Sequence, residues 1–67
     1  MPKRNPTLLD QIEAFLKRQG MPPSRFGTMA LRDPNFVLDL RNGREPRRRQ
    51  RERAQDFMNH YRAEAAE

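Results

Sequence analysis

The chain contains no cysteine and no tryptophan, and only one histidine, one serine and one tyrosine among its 67 residues. Without cysteine there is no disulfide framework and no thiolate zinc site. His60 stands near the C-terminal end without a triad or metal partner, so a solvated or aromatic-packed ring is its ordinary reading. Ser24 has no histidine nearby, the acidic residues are scattered, and no glycine loop is available to cradle a phosphate. The sequence therefore reads as a binding protein and not an enzyme, with no catalytic residue, metal, cofactor or evident small-molecule ligand. Apolar runs extend for only a few residues, too short for a membrane span or a secretory signal, which implies a cytoplasmic protein.

Strong hydrophobics are also sparse. Leu, Ile, Val and Phe together number 12 of 67 residues, and the formal charge is +5. A chain of this length supports one small core at most, with frayed ends, modest stability and self-association as a supplement. The charge is unevenly placed. Seven of the 14 Lys and Arg residues lie between Arg41 and Arg53, all are Arg, and only Glu45 and Glu52 oppose them. Arginine's planar fork suits phosphate, so such a run points to a polyanion, DNA or RNA first. A merely solvated helix face is the plainer alternative.

Periodicity divides the chain into four helices with no strand pattern. Residues 1–6 form a short basic arm, expected to be flexible, in which Lys3 and Arg4 can reach a minor groove. Thr7 opens the first helix as N-cap, with Asp10 three residues on as a variant capping box. Leu8, Leu9, Ile12, Phe15 and Leu16 give it one apolar face, and Gly20 stops it after residue 19. A second helix spans residues 23–31, with Phe26, Met29 and Ala30 facing inward. Asp33-Pro34 opens a third over 33–42, with Val37 and Leu40 inward and Asn42-Gly43 as its end. The last helix covers residues 46–63: an arginine-rich half, then Ala54, Phe57, Met58 and Tyr61 at core spacing. One domain over 7–63 follows, an all-α four-helix bundle, with 64–67 frayed.

The second and third helices and their short connection have the size of a helix-turn-helix. From Gly20 to Gly43 the spacing resembles the small Cro- and lambda-repressor-like family of bacterial regulators, in its alphaproteobacterial-type wording. The matching positions are Phe26 and Gly27, then Ala30, then Val37 and Leu40, then Asn42-Gly43, with Pro46 opening the next helix. The chain departs from the family at the turn, where Leu31 stands in place of the usual glycine. The resemblance implies a helix-turn-helix whose third helix reads the major groove.

With Val37 and Leu40 inward, helical geometry puts Asn35, Leu38, Asp39 and Asn42 on the opposite face as candidate base contacts. Asn35 can pair with adenine N6 and N7, and Leu38 can pack on a thymine methyl, although a lone surface leucine is ordinary. Asp39 can accept from cytosine N4 or pair with a nearby arginine. Phe36 lies at the edge of the inward stripe, as core or as a base or dimer contact. Arg25, Arg41, Arg44, Arg47, Arg48, Arg49 and Arg51 are the candidate phosphate contacts, with Arg53 continuing the run. One short recognition helix reads few bases, so the expected form is a homodimer on double-stranded DNA, with the C-terminal helix and Tyr61 as the pairing surface. The competing readings are a helical adaptor for an acidic protein and RNA binding through the arginine-rich helix.

Overall fold

A computed structural model describes residues 7–61, and the expected arm (1–6), helix end (62–63) and fray (64–67) lie outside them. Four helices account for the described chain: α1 (Leu8–Gln19), α2 (Pro23–Leu31), α3 (Phe36–Arg41) and α4 (Arg48–His60). The all-α bundle read from periodicity is the observed architecture.

Local hydrogen bonding explains most of the boundaries. The Thr7 hydroxyl accepts from the Asp10 N–H at 3.1 Å, and the Asp10 carboxylate accepts from the Thr7 N–H at 3.2 Å, which closes a capping box on α1. At the other end Gly20 is left-handed, at φ 63°. The next N–H, of Met21, returns to the Leu16 carbonyl at 3.0 Å. This termination turns the Met21 side chain back onto α1, where it is buried, although it lies in a connection and outside any helical stripe. Gly43 ends α3 in the same manner: its N–H bonds the Leu40 carbonyl and the Arg44 N–H bonds the Asp39 carbonyl, both at 3.0 Å.

Helices α3 and α4 are shorter than their sequence patterns suggest. Asp33 accepts the Asn35 N–H at 3.0 Å but closes a turn ahead of α3, whose N-cap is Asn35 without a side-chain bond. The Phe36 N–H, however, bonds the Asp33 carbonyl three residues back at 3.1 Å, so Pro34 and Asn35 form a tight turn and the α-helix begins at Phe36. In α4 the backbone of Arg47 is extended, so Pro46 precedes the helix instead of opening it. The Gln50 side chain accepts the Arg47 N–H at 3.0 Å, and the helix ends at His60 because Tyr61 is again extended.

The core is a single cluster of Ile12, Phe15, Leu16, Met21, Phe26, Phe36, Val37, Leu40 and Ala54. Helix α3 contributes three of these within six residues, which makes Phe36 core. Phe15 and Phe26 meet edge to face at 5.7 Å, and Phe57 packs on both at 5.9 and 5.2 Å. Tyr61 closes the cluster against Phe15 at 5.4 Å. A Gln55-to-Gln11 hydrogen bond of 2.8 Å fastens α4 to α1 on one side.

One expected core residue is outside. Met29 is 48% exposed, because the inward position on α2 belongs to Gly27, which has no side chain to reveal it. Gly27 is buried where the chain folds back at the end of α2. A Cβ there would collide with the Asp33 carbonyl oxygen and stand 3.4 Å from the Phe36 Cβ. The left-handed residue that makes this turn is not glycine but Arg32, at φ 60° and ψ 33°, one position after Leu31. The Arg32 N–H returns to the Thr28 carbonyl at 2.9 Å, and the Asp33 N–H to the Gly27 carbonyl at 3.0 Å.

Two substitutions with opposite signs test this turn. Gly27→Ala is expected to destabilise the fold by about 1–3 kcal/mol, because the clash is with backbone that cannot rotate away. Arg32→Gly is expected to stabilise it by roughly 0.5–1 kcal/mol, the relief of left-handed strain less the entropy of a new glycine. Urea unfolding measures both, and a Gly27→Ala chain as stable as its parent would show that the close approach is not required.

Candidate nucleic-acid interface

With Phe36, Val37 and Leu40 committed to the core, Leu38 of α3 and its flanking cap residues Asn35 and Asn42 are exposed, at i, i+3 and i+7 spacing. Leu38 is 52% exposed, and neither the Asn35 nor the Asn42 side chain has a hydrogen-bond partner among the described residues. These three form one row. Asp39 stands off it: its carboxylate accepts from Arg44 Nη1 at 3.1 Å, the arginine pairing weighed as its alternative.

The arginines fall into distinct settings. Arg41 leaves the row on the other side and donates through Nε and Nη2 to the two Glu13 carboxylate oxygens at 2.7 and 2.8 Å. This forked pair ties the end of α3 to the middle of α1, so the Arg41 guanidinium faces a carboxylate of its own chain. The Glu13 carboxyl is held below its ordinary range, first by the Arg41 hydrogen bonds, then against a desolvation push upward and the nearby Asp10 charge. The same bonds to Glu13 push the Arg41 guanidinium upward. Arg25 projects from the start of α2, exposed and without an ion pair among the described residues.

Helix α4 carries its arginines on two flanks. Arg47, Arg49 and Arg53 border a groove whose far side is Leu31 and Asp33, at the α2–α3 connection. Arg48 and Arg51 share the row of Gln55, which bonds α1, so they lie on the α1 side. Arg51 and Arg53, two residues apart, differ by about 200° around the helix. Glu52 and Asp56 occupy the ridge between the flanks, and Arg48 leans on Glu52 at 3.6 Å. The arginine run is thus continuous in sequence but divided in space. Arg47, Arg49, Arg51 and Arg53 have no carboxylate partner among the described residues.

Arg47 also joins Arg44, Asp33, Asp39 and Gln50 along a second groove, beside the α3–α4 connection. The start of α4 therefore adjoins the N-terminal end of α3. That groove also holds Glu45; the like charges that repel one another and oppose the positive end of the helix dipole are Arg47, Arg48, Arg49 and Arg51, in the first turns of α4. Tyr61, expected at a pairing surface, is half-buried against Phe15 and Phe57 of its own chain. His60 Nδ1 lies 2.9 Å from the Asp56 carbonyl oxygen in its own helix. Among the described residues no cluster of His, Asp or Glu could hold a metal ion, and no helix is long and apolar enough to cross a membrane.

No family model, no curated protein and no solved structure matches the chain.

The Glu13–Arg41 pair makes a pH-dependent contribution of definite sign. A carboxyl held low in the folded state stabilises the fold above its unfolded pKa, about 4.3 for glutamate. That contribution disappears as pH falls through the lower, folded value. Both side chains are about two-fifths exposed, 42% and 40%, so solvent screening keeps it small. Glu13→Gln is expected to unfold at lower urea than its parent near neutral pH, the gap narrowing as the parent is acidified through its carboxylate range. A gap that stays constant with pH would remove the ion pair as its cause.

Proposed function

We propose that this chain is a sequence-specific binder of double-stranded DNA and acts as a transcriptional regulator of the helix-turn-helix kind. In this reading α3 enters the major groove and the arginines beside it grip phosphates. One observation carries the reading: two amides and a leucine are exposed on and around α3, and arginines without carboxylate partners among the described residues border the groove at Asp33, the turn that precedes it. A solvated surface gains nothing from crowding cations at the start of a helix, whereas a polyanion passing there relieves both the repulsion and the dipole conflict.

The roles divide by chemistry. Asn35, at the N-terminal end of α3, offers its amide for a forked pair with adenine N6 and N7. Leu38 offers an apolar contact for a thymine methyl, and Asn42 extends the row toward a third base. Arg25, Arg47 of the α3–α4 connection, and Arg49 and Arg53 of α4 supply sequence-independent attraction through phosphate and counterion release. Arg41 and Asp39 hold the ends of the reading row through Glu13 and Arg44, and so support it from the sides. Six helical residues contact few base pairs, so a homodimer on a two-fold site is part of the proposal.

Selection from random duplexes tests the reading directly and is expected to enrich a motif containing an A·T pair. Asn35→Ala should then lose about 1–3 kcal/mol of discrimination at one base pair, with binding to unrelated duplex unchanged. Failure to enrich any motif, together with capture of acidic polypeptides or RNA instead, would replace this reading with the adaptor or RNA alternative.

A further inference from the structure

We infer that Arg47, Arg49 and Arg53, across the groove from the α2–α3 connection, form the principal backbone grip for the nucleic acid that α3 reads, and that Arg48 and Arg51 lie outside it. The inference deepens the proposed DNA reading and rests on it. It names the ligand chemistry of one groove: the phosphodiester oxygens of a strand passing the N-terminal end of α3.

Placement is the first argument. The groove is bordered by Leu31 and Asp33 on one side and by Arg47, Arg49, Gln50 and Arg53 on the other. Asp33 is the residue whose carboxylate holds the Asn35 N–H, so the groove begins at the turn that launches the reading row. A backbone strand following the edge of a major groove filled by α3 passes this turn. Arg48 and Arg51 are on the row of Gln55 and face the α1 side, separated from the groove by the carboxylates of Glu52 and Asp56. A strand lying across all five arginines would have to cross that acidic ridge.

Charge is the second argument. Three guanidinium groups border the groove with one carboxylate, and that carboxylate accepts a backbone hydrogen bond without pairing with any of the three. The donors therefore remain open. On the other flank Arg48 already leans on Glu52 at 3.6 Å. Arginine forks match phosphate oxygens in pairs, so donors in a concave site commit to the strand more fully than donors on a convex ridge.

Two double variants separate the flanks, and all four positions are exposed, so both variants should keep the parent's helical circular dichroism. The measurement is duplex affinity against salt. Arg49→Gln with Arg53→Gln is expected to flatten the log-affinity against log-salt slope by about 1.8, at 0.9 per lost contact. Arg48→Gln with Arg51→Gln is expected to leave the slope within error of the parent. If the parent binds no duplex even at low salt, the DNA reading itself fails. If the parent binds but the two variants flatten the slope equally, or the second more than the first, the reading stands and the divided grip is wrong. A third arm follows the arginine Nε–Hε signals by NMR: duplex should shift Arg47, Arg49 and Arg53. Inorganic phosphate at the same ionic strength should not, and an equal shift with phosphate alone would make the groove a free-anion site.

Discussion

The position of α3 depends on one backbone contact, the approach of the Asp33 carbonyl to the Cα of Gly27. No side chain fits between them. Because the chain turns this tightly, Asp33 can hold the Asn35 N–H and deliver Phe36 straight into the core. Phe36 brings Val37 and Leu40 after it, and their burial determines which residues of α3 are left outside. A six-residue helix has too few internal hydrogen bonds to stand alone, so its orientation is borrowed entirely from this packing. The exposed row of Asn35, Leu38 and Asn42 is therefore set by a glycine on another helix.

Features governed by nearest neighbours were legible in the sequence. Thr7 with Asp10, Gly20 and Asn42-Gly43 act through bonds spanning a few residues, and the elements begin or end where those residues stand. Longer-range consequences were not. Met21 is buried because the helix end folds it back, a signal readable from its place just after Gly20 but invisible to helical periodicity. Met29 was misread because the true inward position is a glycine, which leaves no apolar mark in the pattern. The first turn of α3 tightened because its Phe36 N–H found the nearer carbonyl of Asp33.

The candidate site shows the same division. That α3 would expose Asn35, Leu38 and Asn42 followed from its apolar positions alone. That Arg41 would be taken up by Glu13, 28 residues away, could not follow from composition, because it requires knowing how α1 crosses α3. Seven arginines fall within 13 residues of sequence, but helical winding of about 100° per residue distributes neighbours to opposite sides. Sequence density and surface density of charge are different quantities, and only the second meets a partner.

Helix α4 fully buries one residue, Ala54, out of thirteen, and is fastened by an aromatic cluster and a glutamine pair in its second half. Its first two turns are held by the Gln50 cap on the Arg47 N–H and the Arg48–Glu52 pair, against mutual repulsion among Arg47, Arg48, Arg49, Arg51 and Arg53. The core contacts of the element are thus gathered toward one end and its like charges toward the other. Opening confined to those turns would exchange amide protons without opening the rest of the domain. An anion that settles on those turns supplies the counter-charge that the arginines lack, so occupancy and the stability of that helix end rise together.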